Sequence, residues 1–117
     1  MCCQYFFDDE TMEQIEKIAA EICLSEEIRK GNIRPSDMAA VITGRHPGLY
    51  AEGMKWGFPS PATGQLMINA RAETALEKRS FSDSTLHRRC VIPAKYFYEW
   101  DASKNKVTFS VDGRPFV

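Results

Sequence analysis

The sequence predicts a single α+β domain, on three observations: one amphipathic stripe near the start, six short β-like runs after it, and turn signals between several of those runs. At 117 residues, with 44% hydrophobic and 26% charged residues, the chain is long enough for one core and too short for two. No internal repeat, low-complexity tract or linker interrupts it.

The first element is expected to be a helix over residues 11–22, or on to 30 if Gly31 is its stop. Thr11 and Gln14 have capping-box spacing, and Met12, Ile15, Ile18, Ala19 and Ile22 form one apolar stripe that reads as core packing. After Arg34-Pro35 come β-like runs at 38–43, 52–58, 66–70, 89–93, 96–100 and 107–111. Turns are marked by Gly44 to Gly48, by Pro59-Ser60-Pro61 with Gly64, and by Asp112-Gly113. A second helical stretch is expected within 73–87, broken around 80–84. Residues 107–117 read as a hairpin whose second strand has four residues, so the chain is expected to stop mid-fold on Phe116-Val117.

The net charge of -1 hides an asymmetry. Residues 1–60 carry six Lys/Arg against ten Asp/Glu, and residues 61–117 carry nine against six. The second half is the basic one, a mild pointer to an anionic partner. No secretory signal precedes Gln4-Tyr5-Phe6-Phe7, and no apolar run approaches the length of a membrane span. Four cysteines without such a signal argue for a reducing cytoplasm and against a disulfide scaffold. Cys2, Cys3, Cys23, Cys90, His46 and His87 include no Cys-x-x-Cys pair and no close Cys/His pair, which argues against zinc.

Four places carry chemistry. Met1-Cys2-Cys3 opens the chain, so removing one methionine would leave Cys2 with a primary amine and a thiol on adjacent carbons. At ordinary pKa values of about 7.7–8.0 and about 8.5, both are usable nucleophiles near neutral pH. They can attack an aldehyde in turn, the amine forming an imine and the sulfur closing a five-membered thiazolidine. In 68–74, Asn69, Arg71 and Glu73 alternate and would share one face of an extended backbone, either a polar edge or a group able to orient a nucleophile and bind phosphate. In 88–100, Glu99 lies among Tyr96, Phe97, Tyr98 and Trp100. Aromatic surroundings raise a carboxylate pKa and suit general acid/base work, unless Glu99 simply faces water. Cys90 sits in an apolar run and is expected to be a buried structural thiol. In 54–58, Trp56 is either a core residue or a surface on which a base stacks.

Taken in order, Cys2, Trp56-Gly57, Ile68-Asn69-Ala70-Arg71-Ala72-Glu73-Thr74, and Arg88-Arg89-Cys90-Val91-Ile92-Pro93-Ala94 leading into Phe97-Tyr98-Glu99-Trp100 resemble the SRAP family, the SOS response-associated peptidase domain proteins. The resemblance implies a mostly antiparallel, barrel-like sheet core with flanking helices, with residues 1–117 forming the N-terminal half of the usual domain. It implies recognition of abasic sites in single-stranded DNA and a covalent thiazolidine crosslink through Cys2, without metal or cofactor. By the same likeness Asn69 positions the nucleophile and Glu99 is the acid/base group. Arg71 and Arg79 match positions that grip DNA phosphates, and Asn32-Ile33-Arg34-Pro35 matches an Asn-x-x-Pro segment near the pocket, which puts Asn32, Pro35 and Trp56 at the DNA.

The chain also departs from the family pattern. Members commonly read Met-Cys-Gly-Arg, where this chain has Met1-Cys2-Cys3-Gln4. A further Trp often follows the Trp-Gly pair, where Pro59-Ser60-Pro61 stands here. The family's second half, with a His that joins the active site, has no counterpart, and neither His46 nor His87 lies in a matching context. Two rival readings stay open: a cysteine peptidase that removes its own leading residue, and an inactive fragment or single-strand-binding module.

Overall fold

Aromatic residues at Tyr5, Phe6 and Phe7 give β1 (Gln4–Phe7) enough apolar surface to serve as an inner strand. Tyr5 and Phe7 are buried, and the strand is flanked by antiparallel partners on both sides. The computed structural model describes residues 2–24 and 27–111. In it β3 (Gly31–Ile33), β1, β8 (Tyr96–Trp100) and β9 (Lys106–Ser110) form a four-stranded sheet in that order. The registers pair Tyr5 with Ile33 on one side and with Phe97 on the other.

The helix that follows starts earlier and ends sooner than its sequence pattern predicts. α1 spans Asp9–Ile18 and is capped by Asp8, whose side chain accepts bonds from the Thr11 backbone N (3.0 Å) and from its hydroxyl (2.8 Å). Thr11 is therefore a donor inside the first turn and not the cap. Asp9 and Glu10 in the first turn and Lys17 in the last suit the helix dipole. Ile15 is buried, but Ile18 and Ile22 are exposed, so the stripe packs over its first half only. Beyond it the Ala20 N–H donates to the Leu49 carbonyl (2.7 Å), and β2 (Glu21–Cys23) pairs in parallel with β5 (Gly48–Lys55). Pairing with a distant strand outweighs the local helical pattern, and Gly31 begins a strand at positive φ instead of ending a helix.

The second sheet has the order β2, β5 and then β4 (Met38–Arg45). β4 (Met38–Arg45) and β5 (Gly48–Lys55) form a hairpin through the predicted Gly44–Gly48 turn, paired from Met38↔Lys55 to Arg45↔Gly48. Ala39, Ala40, Val41, Ile42 and Ala51 are buried, and all but Val41 join Tyr5, Phe7, Ile15 and Ile33 in one core. β6 (Phe58–Pro59) and β7 (Leu66–Met67) make a small separate hairpin through residues 60–65. The predicted run 52–58 is thus the end of one strand and the start of another, and the run 66–70 shortens to two paired residues.

Two short helices follow, α2 (Ala72–Ala75) and α3 (Ser82–His87), separated at 76–81. The predicted strand 89–93 is reduced to one bridge, in which Val91 and Ile42 exchange two 2.8 Å bonds. Pro93 supplies no N–H for a longer ladder. β8 matches its predicted bounds, and its entry is tied down: the Lys95 N–H donates to the Phe6 carbonyl, while its ammonium meets Asp8 (2.9 Å) and Glu10 (2.5 Å). Among the described residues the strands form sheets of four, three and two and close no barrel, so the expected α+β fold with mostly antiparallel sheets is observed without a barrel closure. The Asp112-Gly113 turn and the strand after it lie outside the described residues. No described helix is long and apolar enough to cross a membrane.

Candidate functional site

β1 carries Cys2 into the molecule because the sheet holds the following residues from both sides. Cys2 is partly buried, and its thiol lies 3.6 Å from the Gln4 carbonyl oxygen. From the loop after β7, the Asn69 amide donates to the Cys2 carbonyl oxygen at 3.0 Å, across 67 residues of sequence. On the neighbouring strand β8, Glu99 is partly buried, and one step beyond the Gln4↔Tyr98 pair the register sets Cys3 opposite it. Burial pushes the Cys2 thiol above its ordinary value. A backbone hydrogen bond with Gln4 opposes that, and the nearby charge of Glu99, together with an ionised Cys3, adds to it. Cys2, Asn69 and Glu99 are therefore brought to one corner.

The corner opens on one side. A recess of about 450 Å³ is lined by Cys3, Met67, Ile68, Asn69, Lys78 and Phe81. Lys78 is a cation that the sequence reading passed over, since nothing in its spacing distinguishes it from the charged residues around it. Arg71 and Arg79 lie nearby in sequence but stand differently. Arg71 precedes α2 and Arg79 lies in the segment between α2 and α3, and both are exposed. The expected common face of Asn69, Arg71 and Glu73 is not formed. The strand ends at Met67 and a helix starts at Ala72, so the alternation of an extended chain is lost between them. Asn69 points inward to Cys2, while Arg71 and Glu73 face solvent.

A larger cleft of about 500 Å³ adjoins this corner and shares Asn69, Met67, Ile68 and Phe81 with the recess. Trp56 forms part of its wall. The indole is half-buried, donates from Nε1 to the Ile68 carbonyl (3.3 Å) and packs on Tyr5 with ring centroids 5.6 Å apart. Its rotamer is therefore fixed. The Asn32-to-Pro35 segment reaches the same region through backbone: the Ser36 N–H donates to the Trp56 carbonyl and the Trp56 N–H to the Asp37 carbonyl. Pro35 is accordingly next to Trp56, whereas Asn32 lies back on β3 with its side-chain oxygen buried and unpartnered.

Cys90 is exposed, which corrects the expectation of a buried structural thiol. Val91 and Ile92 beside it are also exposed, because the segment makes a single bridge instead of a covered strand. The residue as a whole is exposed, but its sulfur stands in the cleft wall, where partial loss of water pushes the thiol above its ordinary value. Tyr5 is raised as well, first by burial and then by the charges of Cys90, Asp37 and Cys2. Among the described residues, no three His, Cys, Asp or Glu side chains gather where they could hold a metal ion.

The family model for the SOS response associated peptidase, SRAP, matches residues 1–116. Curated relatives include "Abasic site processing protein YoqW" of Bacillus subtilis, 39% identical over 59% of this chain and 33% of that protein. "Abasic site processing protein YoaM" of the same organism is 36% identical over 68% of this chain and 38% of its own length. "Abasic site processing protein YedK" of Escherichia coli is 28% identical over 77% and 43%. The chain spans less than half the length of the curated relatives it matches. A crystal structure of a protein from Bacteroides thetaiotaomicron shares the fold, with a TM-score of 0.70 at 19% identity over 97% of this chain and 56% of that one. The chain belongs to the SRAP family.

Proposed function

We propose that this SRAP-family chain processes abasic sites by bonding covalently to the ring-opened sugar of single-stranded DNA through Cys2, once Met1 is removed. The observation that carries the reading is the Asn69 amide 3.0 Å from the Cys2 carbonyl, with the charge of Glu99 acting on the same residue. The Cys2 amine adds to the sugar aldehyde, and loss of water gives an imine. The Cys2 sulfur then adds to that carbon while the thiol proton passes to nitrogen, which closes the thiazolidine. Asn69 fixes the Cys2 backbone so that amine and thiol address one carbon. Glu99 relays protons during addition and dehydration.

Arg71 and Arg79 hold phosphates, and Trp56, with the Asn32 to Pro35 segment behind it, forms the DNA side of the corner. In this reading residues 1–117 supply the N-terminal half of the family's domain. A reducing cytoplasm suits it, because all four thiols are free.

The test is intact mass after incubation with an oligonucleotide bearing one abasic site. The expected product has the mass of protein plus DNA less one water, with Met1 absent, and it survives denaturation. Absence of the adduct from a Met1-free chain would overturn the reading. Cleavage of a Met-Cys peptide in its place would move the assignment to the peptidase.

A further inference from the structure

We propose that Cys3 is a second covalent ligand, and that its substrate is the unsaturated aldehyde left when a strand breaks at an abasic site. It rests on the crosslinking function proposed above for the step at Cys2. In that lesion β-elimination has expelled the 3′ phosphate, and the aldehyde carbon, C1, is conjugated to a C2=C3 double bond. The lesion therefore has two electrophilic carbons, C1 and C3, where the ring-opened sugar of an unbroken strand has one. A β-elimination is accordingly the class of reaction that supplies the substrate.

Cys2 and Cys3 are both partly buried, and both thiols are free. The pair is a poor disulfide, because adjacent Cα atoms lie about 3.8 Å apart across a trans peptide and disulfides span about 4.4–6.8 Å. Two thiols thus remain for two carbons. Asn69 ties them to one place: its amide donates to the Cys2 carbonyl at 3.0 Å, and it lines the 450 Å³ recess together with Cys3. Met67, Ile68 and Phe81 make most of the remaining lining. A flat C2=C3 segment loses no hydrogen bond against such a wall, whereas C3 of an unbroken strand carries a phosphate, which does. The register sets Cys3 opposite Glu99, a carboxylate for its thiol proton. The charges of Glu99 and Cys3 both act on the Cys2 thiol, as befits three groups in one corner. The glycine common in the family where Cys3 stands has no side chain to offer.

The Cys2 amine condenses with C1, water leaves, and the protonated imine draws electrons from C2=C3. The Cys3 sulfur adds to C3, and the π pair shifts to C1=C2, giving an enamine. Glu99 takes the thiol proton, and a proton returned to C2 restores the imine. The Cys2 sulfur then adds to C1 while its proton passes to nitrogen, which closes the thiazolidine. The product is protein plus lesion less one water, with no oxidant or reductant. Sulfur suits the alkene carbon because it is polarizable. The thiazolidine can reopen through the imine, and the C–S bond at C3 holds when it does.

The test uses the full chain without Met1 and two strands, one with an unbroken abasic site and one cut at that site by β-elimination. Both should couple. Excess alkoxyamine, which competes for C1, should release the unbroken strand and leave the cut one attached. After denaturation, iodoacetamide should alkylate Cys3 in the first adduct and find it blocked in the second, as read by peptide mass spectrometry. In Cys3→Ser the alkoxyamine should release both strands alike. Release of the cut strand from the parent chain, a Cys3 that stays alkylatable, or a block on Cys90 in its place would each overturn Cys3 as the ligand. Any of those results beside a normal adduct with the unbroken strand would leave the crosslinking reading standing. A blocked Cys3 on the cut strand without any adduct on the unbroken one would sink the crosslinking reading alone. Coupling to neither strand would sink both.

Discussion

At the Cys2 corner the reactive groups sit on backbone that the sheet fixes, whereas along residues 71–79 the cations sit on a four-residue helix and the segment after it, with their side chains in solvent. Cys2 precedes a strand paired on both edges, and Glu99 comes from one of those partners. Among the described residues the Arg71 and Arg79 side chains form no hydrogen bond or ion pair, and both stand in solvent. Rigid placement serves a bond-forming step, which depends on the mutual geometry of reacting atoms. Loose cations serve capture, which depends on charge and little on register. Damage to the first region should therefore appear in rate, and damage to the second in affinity.

The largest effect should come from Cys2 itself. Cys2→Ser in a Met1-free chain should abolish the heat-stable adduct, because the serine amine can still form an imine while its hydroxyl closes the ring poorly. The imine should be trappable with borohydride. Cys3→Ser should react nearly normally, since the Cys3 nitrogen is in a peptide bond. Denaturing electrophoresis with and without borohydride reads both. A dead Cys3→Ser variant would show that the corner works by another chemistry.

Asn69→Ala and Glu99→Gln come next. Each should slow adduct formation on the order of a hundredfold while leaving affinity for intact strands nearly unchanged. Single-turnover rates beside equilibrium binding separate the two readouts. Glu99→Gln carries a further sign. Burial is the leading reason that the Cys2 thiol is raised, and the Glu99 charge adds to it, so removing the charge should shift thiol titration part of the way back toward lower pH. The rate of Cys2 alkylation against pH, followed by peptide mass spectrometry, should show that displacement. A shift to higher pH would mean that Glu99 does not act on the thiol through its charge.

Arg71→Ala and Arg79→Ala should be milder and of a different kind. With about three phosphate contacts, single-strand affinity should fall with salt at a slope near -2, about -0.7 per contact. Each substitution should flatten that slope by somewhat under one unit and weaken all sequences alike. If either changed the single-turnover rate at saturating DNA as strongly as Asn69→Ala, the division between a rigid corner and a loose arm would fail.

How much of this was legible depends on how local each cause is. The bounds of β8 follow from its aromatic alternation, and the β4–β5 hairpin follows from two apolar runs around a Gly-rich turn. β1 and β3 were missed because three or four residues carry too little periodicity, and β1 is a strand by virtue of partners as distant as Tyr98. β2 was read as helix because Ile18 and Ile22 continue the stripe of Ile15, and only the parallel pairing with β5 shows otherwise. Cys90 misled because apolar neighbours in sequence do not amount to cover in space. In the site, motif likeness named Cys2, Asn69 and Glu99, but nothing local predicts that the Asn69 amide meets the Cys2 carbonyl. Phe58 and Phe81 could not be paired from sequence either, since Phe81 reaches the cleft from the far end of the segment between α2 and α3.

The smallest effect tests what keeps the corner rigid. Asp8 does two jobs: it caps α1 by accepting from Thr11, and it binds the Lys95 ammonium at the entry to β8. Burial works to raise its carboxyl, but the bonds from Lys95 and Thr11 outweigh that and hold it below the usual Asp value. A depressed native pKa means that the contribution to stability is present above the unfolded-state value and is lost as pH falls through the native one. Asp8→Ala should cost about 1 kcal/mol through the lost cap. Asp8→Asn keeps an acceptor for Thr11 and loses the charge facing Lys95, so near neutral pH it should fall between Asp8→Ala and the parent. In denaturant melts run at successively lower pH, the gap between the parent and Asp8→Asn should close while the gap between Asp8→Asn and Asp8→Ala persists. A parent-to-Asn gap that stayed constant into acid would mean that the Lys95 contact contributes nothing through the Asp8 charge. The entry to the strand that carries Glu99 would then be held by the Glu10 contact of Lys95 and by backbone pairing.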